Sequence, residues 1–307
     1  MHTSVLPTLF RKTGAPAALV ALALFAAGAA SAQSTVLRMQ TNLGTLDVQL
    51  LDAEAPKTVA NFLTYVRAGD YNGVLFHRSI SDFIIQTGGY RWPPGAAIVG
   101  VTKRNPVDNE FSPTRSNVRG TLAMAKVGVK VGNVEPENSA PSEWFINLVD
   151  NSANLDTQNK GFTVFARLST PSLAVADSIG QLPTVNVGSQ ISTWTNLPVY
   201  NWVQGTLLDS VNMVSFSKFT EFPAQAGKTD SDRIFDFIEK TYPQYAPVEG
   251  KESGVALGYV YRYYPKTNAY VGTKDNQVWY LVPAISNDIQ RLGTLTDWLV
   301  TAVTSGS

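Results

Sequence analysis

Residues 76–89 read FHRSISDFIIQTGG. The stretch contains the end of one strand-like run, 73–78, and the whole of a second, 84–86, which are separated by a more polar connection. It closes with two glycines, and glycine is one of the strongest signals for a turn. The pattern therefore predicts short strands joined by turns in this part of the chain.

The same pattern continues outward on both sides of this stretch. Residues 36–40 and 46–50 alternate apolar and polar side chains around a turn at 42–44, which predicts a β-hairpin. A helix is predicted at about 56–68, where apolar side chains recur every three or four residues. Toward the C-terminus, the predicted elements are strands over 121–125, 143–148, 163–168 and 212–218 and a helix over 173–182.

These elements indicate the fold class and the domain organisation. Many short strands with two helices predict a mainly β domain over 35–220, a closed antiparallel β-barrel of about eight strands capped by two helices. Residues 221–230 are polar, contain Pro and Gly, and are predicted to be a linker. Residues 231–303 predict a small α+β domain with one helix near 234–242 and another near 295–303. Its three predicted strands are 255–264, 269–272 and 277–281.

The first 32 residues have the pattern of a signal peptide. Arg11 and Lys12 precede an apolar run over 15–27, and Ala30-Ser31-Ala32 supplies a small-residue cleavage site. The alternative is a membrane anchor, but the run is shorter than the ~20 residues that a span requires. We therefore expect a mature chain that begins at Gln33, has no membrane span and is periplasmic or secreted.

Composition excludes several classes of chemistry. The chain has 24 basic and 24 acidic residues, which argues against nucleic acid or anionic membrane as the main partner. It has no cysteine, and His77 is the only histidine left once His2 is removed with the signal peptide. A thiol nucleophile, a cysteine metal site and a site with two histidines are thereby excluded. We expect chemistry that needs no metal and no cofactor.

Four short patterns carry a family resemblance. They are FHR at 76–78, DFIIQTGG at 82–89, GTLAMA at 120–125 and NSAPSEWFIN at 138–147. In order and approximate spacing they resemble the signatures of the cyclophilin family of peptidyl-prolyl cis/trans isomerases. The resemblance extends over about 35–220 and implies a proline-containing, unfolded or loop-exposed polypeptide as substrate.

The resemblance also implies roles for individual residues. Arg78 would donate to the prolyl nitrogen, and Gln86 would bind the substrate backbone and orient Arg78. Phe83 would complete the catalytic group and line the proline pocket. The other implied substrate-binding residues are Ile84, Ala125, Lys126, Glu143, Phe145, Leu155 and Phe162. His77 and Trp144 are expected to be structural.

Several positions depart from the family pattern. Asp82 and Thr87 replace glycines and Ile84 replaces a methionine. Glu143 stands where glutamine is usual, which adds a negative charge near the groove. Further, Phe162 replaces a histidine or tyrosine, and Asn154 aligns where cyclosporin-sensitive members have tryptophan. We expect altered sequence preference and weak binding of cyclosporin.

Two alternatives remain open from the sequence. The barrel domain could bind proline peptides with little turnover, as a chaperone or assembly module. Residues 231–303 resemble a Tyr-rich module found in exported bacterial proteins, and their aromatic residues could form either a binding surface or the core that a small domain needs. The sequence does not indicate an oligomeric state.

Overall fold

The chain forms two compact units, Ser34–Ala224 and Gln225–Ser307, each with its own antiparallel sheet and buried core. The computed structural model describes residues 33–127, 135–188, 191, 194–246, 252–286 and 288–305. The predicted signal peptide lies outside the described residues.

The first unit is built mainly from short strands. In chain order they are β1 Val36–Thr41, β2 Gly44–Leu50, β3 Arg78–Ile80, β4 Ile84–Thr87, β5 Tyr90–Arg91, β6 Val99–Gly100, β7 Thr121–Met124, β8 Trp144–Asn147, β9 Val164–Leu168, β10 Thr184–Val185, β11 Leu197–Pro198 and β12 Phe216–Phe222. The helices are α1 Pro56–Arg67, α2 Ser152–Leu155 and α3 Thr170–Gly180. Both predicted helices are present, and the four-residue α2 is an addition.

Eight of these strands form one curled sheet in the order β12-β1-β2-β9-β7-β8-β4-β3. Within the described residues, the edge strands β3 and β12 do not pair with each other. The segments that precede them meet instead, through an isolated bridge between Leu75 and Ser215 and a few backbone hydrogen bonds. The predicted closed barrel is therefore wrong: the sheet is open, because β3 has only three residues with which to extend a ladder.

The main core of the first unit lies on the concave side of this sheet. Alternate side chains of a strand point to opposite faces, so Ile85, Ile146 and Leu122 point into the core from neighbouring strands. Helix α1 covers the core with Phe62, whose ring lies 5.6 Å from Trp144 and 4.9 Å from Phe165. Trp144 is fully buried, as expected for a structural residue.

The second unit combines two helices with a five-stranded meander. The helices are α4 Asp230–Thr241 and α5 Leu295–Thr304, and the strands are β13 Glu252–Ala256, β14 Tyr259–Tyr264, β15 Ala269–Lys274, β16 Gln277–Leu281 and β17 Gln290–Thr294. The sequence predicted three strands. The predicted strand 255–264 lies across a hairpin instead, because Leu257 and Gly258 adopt φ angles of 53° and 80° and reverse the chain.

A charge cluster built around the buried Arg262–Glu239 pair joins α4 of the second unit to its sheet. Arg262 of β14 donates to Glu239 at 2.8 Å and also contacts Asp232 and Asp236, all three of which lie on α4. Its guanidinium lies 4.8 Å from the ring centre of Phe235. Among the described residues of either unit, no helix has the length and apolar character that spanning a bilayer requires.

Candidate active site

Strand register places the predicted catalytic pair side by side. Arg78 on β3 lies directly opposite Gln86 on β4, and Gln86 lies directly opposite Phe145 on β8. The Nη1 of Arg78 donates to Oε1 of Gln86 at 3.2 Å. Burial lowers the pKa of Arg78, but a guanidinium remains charged at neutral pH. The site therefore presents a permanent cation held in a fixed orientation.

An apolar cluster forms on the face of the sheet opposite the main core. It contains Ile84, Phe145 and Leu155, which are buried, and Phe83 and Phe162, which are partly exposed. Ala125, also partly exposed, packs against this cluster. The ring centres of Phe145 and Phe162 are 5.7 Å apart in an edge-to-face arrangement. All six of these predicted site residues are thus brought together.

A β-bulge helps to complete this apolar cluster. Leu122 pairs with Ala166 and Ala123 pairs with Val164, so Phe165 is an extra residue on β9. The bulge lets Val164 join the apolar cluster while Phe165 stays in the main core. Periodicity in the sequence gave no signal for it, since an inserted residue interrupts the period of two.

Three asparagines hold the loops that carry Phe83 and Phe162, and the sequence analysis missed all of them. Asn151 donates to the carbonyl of Phe83 at 3.0 Å and to Oδ1 of Asn147 at 2.8 Å. Asn117 donates to the carbonyl of Phe162 at 3.0 Å and accepts from Asn147 at 3.2 Å. Asn147 was quoted as the last residue of the motif at 138–147, but two of its side-chain partners, Asn117 and Thr121, lie 30 and 26 positions earlier in the chain.

Lys126 is held beside the apolar cluster by backbone oxygens. Its Nζ donates to the carbonyls of Asn159 and Gly161 and lies 5.3 Å from the ring centre of Phe162. Burial lowers its pKa to about 8, against an opposing influence of Glu137. Lys126 is therefore a cation whose charge changes just above neutral pH.

Glu143 connects Gln86 to His77. Its Oε2 accepts a hydrogen bond from Nε2 of Gln86 at 2.9 Å and lies 3.3 Å from Nε2 of His77. Burial by itself would raise the pKa of Glu143, but the hydrogen bonds from His77 and Gln86 outweigh it and hold this pKa below its ordinary value. His77, which was expected to be purely structural, is buried but reaches the site through this contact.

The two glycine replacements have different local effects. Asp82 adopts φ of 56°, a left-handed conformation that glycine adopts freely and that aspartate tolerates better than most residues. Thr87 is buried, and its hydroxyl donates to the carbonyl of Leu75 at 2.9 Å. The backbone path therefore accommodates both replacements.

Comparison with known proteins agrees with this geometry. Residues 36–201 match the family described as cyclophilin type peptidyl-prolyl cis-trans isomerase/CLD. The chain belongs to the cyclophilin family. It is therefore a peptidyl-prolyl isomerase, and the matched residues lie within the first unit.

Several relatives of the chain are bacterial peptidyl-prolyl cis-trans isomerases. The chain is 36% identical over 172 residues to peptidyl-prolyl cis-trans isomerase A of Dickeya dadantii, covering 55% of this chain and 84% of that relative. It is 36% identical over 157 residues to peptidyl-prolyl cis-trans isomerase B of Escherichia coli, covering 50% and 88%. A crystal structure of a Cryptosporidium parvum cyclophilin type isomerase aligns with a TM-score of 0.44 and 22% identity, covering 62% of this chain and 99% of that one.

Proposed function

We propose that the first unit accelerates rotation about X–Pro bonds through Arg78, without covalent chemistry. Rotation has to remove amide resonance, against a barrier of about 18–20 kcal/mol. Loss of resonance leaves a lone pair on the prolyl nitrogen, and a donor already aimed at that nitrogen stabilises the twisted state more than either planar state. Arg78 supplies the donor, and the cluster around Phe145 supplies the apolar surface for the proline ring.

The observation that carries this proposal is the coupling of a fixed cation to that apolar cluster. Gln86 holds the guanidinium of Arg78 and is itself opposite Phe145 in the sheet. Adjacent strands are about 4.8 Å apart, so Arg78 and Phe145 lie about 10 Å apart across two strand spacings. The long side chain of Arg78 can therefore reach a prolyl residue that is bound on Phe145.

Turnover of a short X–Pro peptide tests the proposal. Removal of a single fixed donor lowers kcat by about 10²–10³-fold in enzymes that stabilise developing charge, and we expect Arg78→Ala to lose activity on this scale. Arg67→Ala is the matched control, because Arg67 is exposed and pairs with Glu221 instead. Full activity of Arg78→Ala would refute the role of Arg78.

A second candidate function is binding of proline peptides with little turnover. Two departures from the family pattern favour it: Glu143, which binds Gln86, and Phe162, which packs against the apolar cluster. Peptide binding measured by calorimetry together with turnover separates the two functions. Tight binding without acceleration by the wild-type chain would favour the binding module.

Export is part of the proposal. We infer that residues 1–32 are removed, that 35–220 isomerise bonds in exported clients, and that 221–230 link this unit to the domain over 231–303. N-terminal sequencing of the protein from fractionated cells tests cleavage, and a first residue other than Gln33 would contradict it. Deleting 225–307 tests whether the second unit sets location or partners, and unchanged fractionation and partners would count against that role.

A further inference from the structure

Four polar side chains of the first unit form one connected series: Arg78, Gln86, Glu143 and His77. We propose that Glu143 is a positioning residue, whose carboxylate fixes the Gln86 amide so that its oxygen faces Arg78. His77 in turn holds the carboxylate. This inference rests on the proposed role of Arg78 and adds a residue that acts through Gln86 rather than on the substrate.

The two ends of the Gln86 amide differ in chemistry but hardly in shape. The side chain of glutamine carries an acceptor oxygen and a donor nitrogen of nearly the same shape, so it can bind in either orientation. A guanidinium has only donors, and a carboxylate has only acceptors. With Arg78 on one side and Glu143 on the other, Gln86 satisfies both partners in one orientation alone, the one observed.

Glu143 departs from the family pattern. The family pattern has glutamine there, and an amide can donate or accept. A glutamine at position 143 could therefore bind either the oxygen or the nitrogen of the Gln86 amide. Arg78 would then be the sole group that selects the orientation of that amide. The carboxylate of Glu143 adds a second, charge-assisted selection from the opposite side, at 2.9 Å.

His77 supports the carboxylate of Glu143. Its side chain is 1% exposed, and its ring packs edge-to-face on Tyr90 with centres 5.2 Å apart. Its Nε2 lies 3.3 Å from the same carboxylate oxygen that receives Gln86, and its backbone N–H donates to the backbone carbonyl of Gln86 at 3.1 Å. A buried ring fixed in this way keeps Glu143 from turning toward solvent.

The side-chain amide of Gln86 provides a direct spectroscopic test. In ¹H–¹⁵N spectra of the full chain, the Gln86 NH₂ signals are identified by their loss in Gln86→Glu. We expect them to be displaced from those of the exposed Gln181 and to move toward them in Glu143→Gln. Wild-type Gln86 signals that coincide with those of Gln181 would overturn the proposal, and this readout does not depend on turnover.

Kinetics provide the second test. We expect Glu143→Gln to lower kcat by on the order of tenfold with little change in KM, as for loss of one charge-assisted contact. Glu221→Gln is the matched control, since its side chain is 19% exposed against 21% for Glu143 and lies at an unrelated ion pair. In a Gln86→Ala background, Glu143→Gln should lower kcat further by less than about twofold. An undiminished tenfold loss in that background would show that Glu143 acts directly and would overturn the proposal.

Discussion

Replacing Asn151 with alanine tests whether the asparagine network holds the site together. Asn151 is buried, and its amide donates to the Phe83 carbonyl and to Oδ1 of Asn147. Each hydrogen bond contributes about 1 kcal/mol net, and a buried oxygen left without its donor costs about 1–3 kcal/mol. The carbonyl of Phe83 keeps a second donor, the backbone N–H of Leu148 at 2.9 Å, so the larger cost falls on Asn147.

These terms predict that Asn151→Ala lowers the free energy of unfolding of the first unit by about 2–4 kcal/mol. A change of 1 kcal/mol shifts Tm by about 2–4 °C in a unit of this size, so calorimetry should show a fall of roughly 5–15 °C. We also expect lower kcat/KM, because Phe83 loses one of its two anchors. Asn154→Ala is the control: Asn154 is exposed on α2, the short helix that begins directly after Asn151, and its side chain contacts Gln158. Equal Tm values for the two variants would refute the reasoning.

Three further predictions concern single residues. Burial lowers the pKa of Lys126 from 10.5 to about 8, so the amine is charged at lower pH and loses its proton as pH rises. Labelling by an amine-reactive ester, followed by mass spectrometry, should therefore show a midpoint near pH 8. A midpoint near pH 10.5 would contradict this. Glu239→Ala should destabilise the second unit by about 3 kcal/mol in urea unfolding, because it leaves the charge of Arg262 buried with weaker partners. A loss of unfolding free energy below about 1 kcal/mol would argue against this pairing. Gly88→Ala should lower the free energy of unfolding by about 3 kcal/mol or more, because φ is 88° and a Cβ would lie 2.4 Å from a backbone oxygen. Gly95→Ala meets open space and should lower it by about 1 kcal/mol. Similar unfolding midpoints for the two variants would contradict the clash.

Local sequence patterns predicted the parts of the fold that depend on local rules. The alternation in residues 36–50 predicted β1 and β2, and the apolar spacing after Pro56 predicted α1 to within one residue of its end. The open edge was not predictable in the same way. Whether β3 and β12 complete a ladder depends on how far two segments distant in sequence approach each other, and no single segment contains that information.

The hairpin in the second unit shows a different limit. Residues 255–264 are mostly apolar and aromatic with a single glycine, and they read as one strand. The turn requires Leu257 to adopt a positive φ, which leucine rarely does, so its residue type gave no turn signal. Tertiary context therefore overrides local preference at this position.

The candidate site likewise has a part that the sequence predicted and a part that only the fold creates. Its residues were found through ordered motifs, and the structure gathers Ile84, Phe145 and Leu155 into one cluster. The contact between His77 and Glu143 could not be found in this way, because the two residues are 66 positions apart in the sequence and meet through strand order. Residue type suggested a structural histidine, and only the fold brings it to the acidic side chain.

Neighbouring residues on these strands serve opposite faces of the sheet. Ile85 and Trp144 belong to the main core, while Ile84 and Glu143, one position away from each, belong to the site. A substitution on the site face therefore replaces no side chain of the main core, and its packing cost falls on the smaller apolar cluster instead. The departures from the family pattern at Ile84 and Glu143 lie on that face. Divergence of such enzymes toward new clients is expected to accumulate there first.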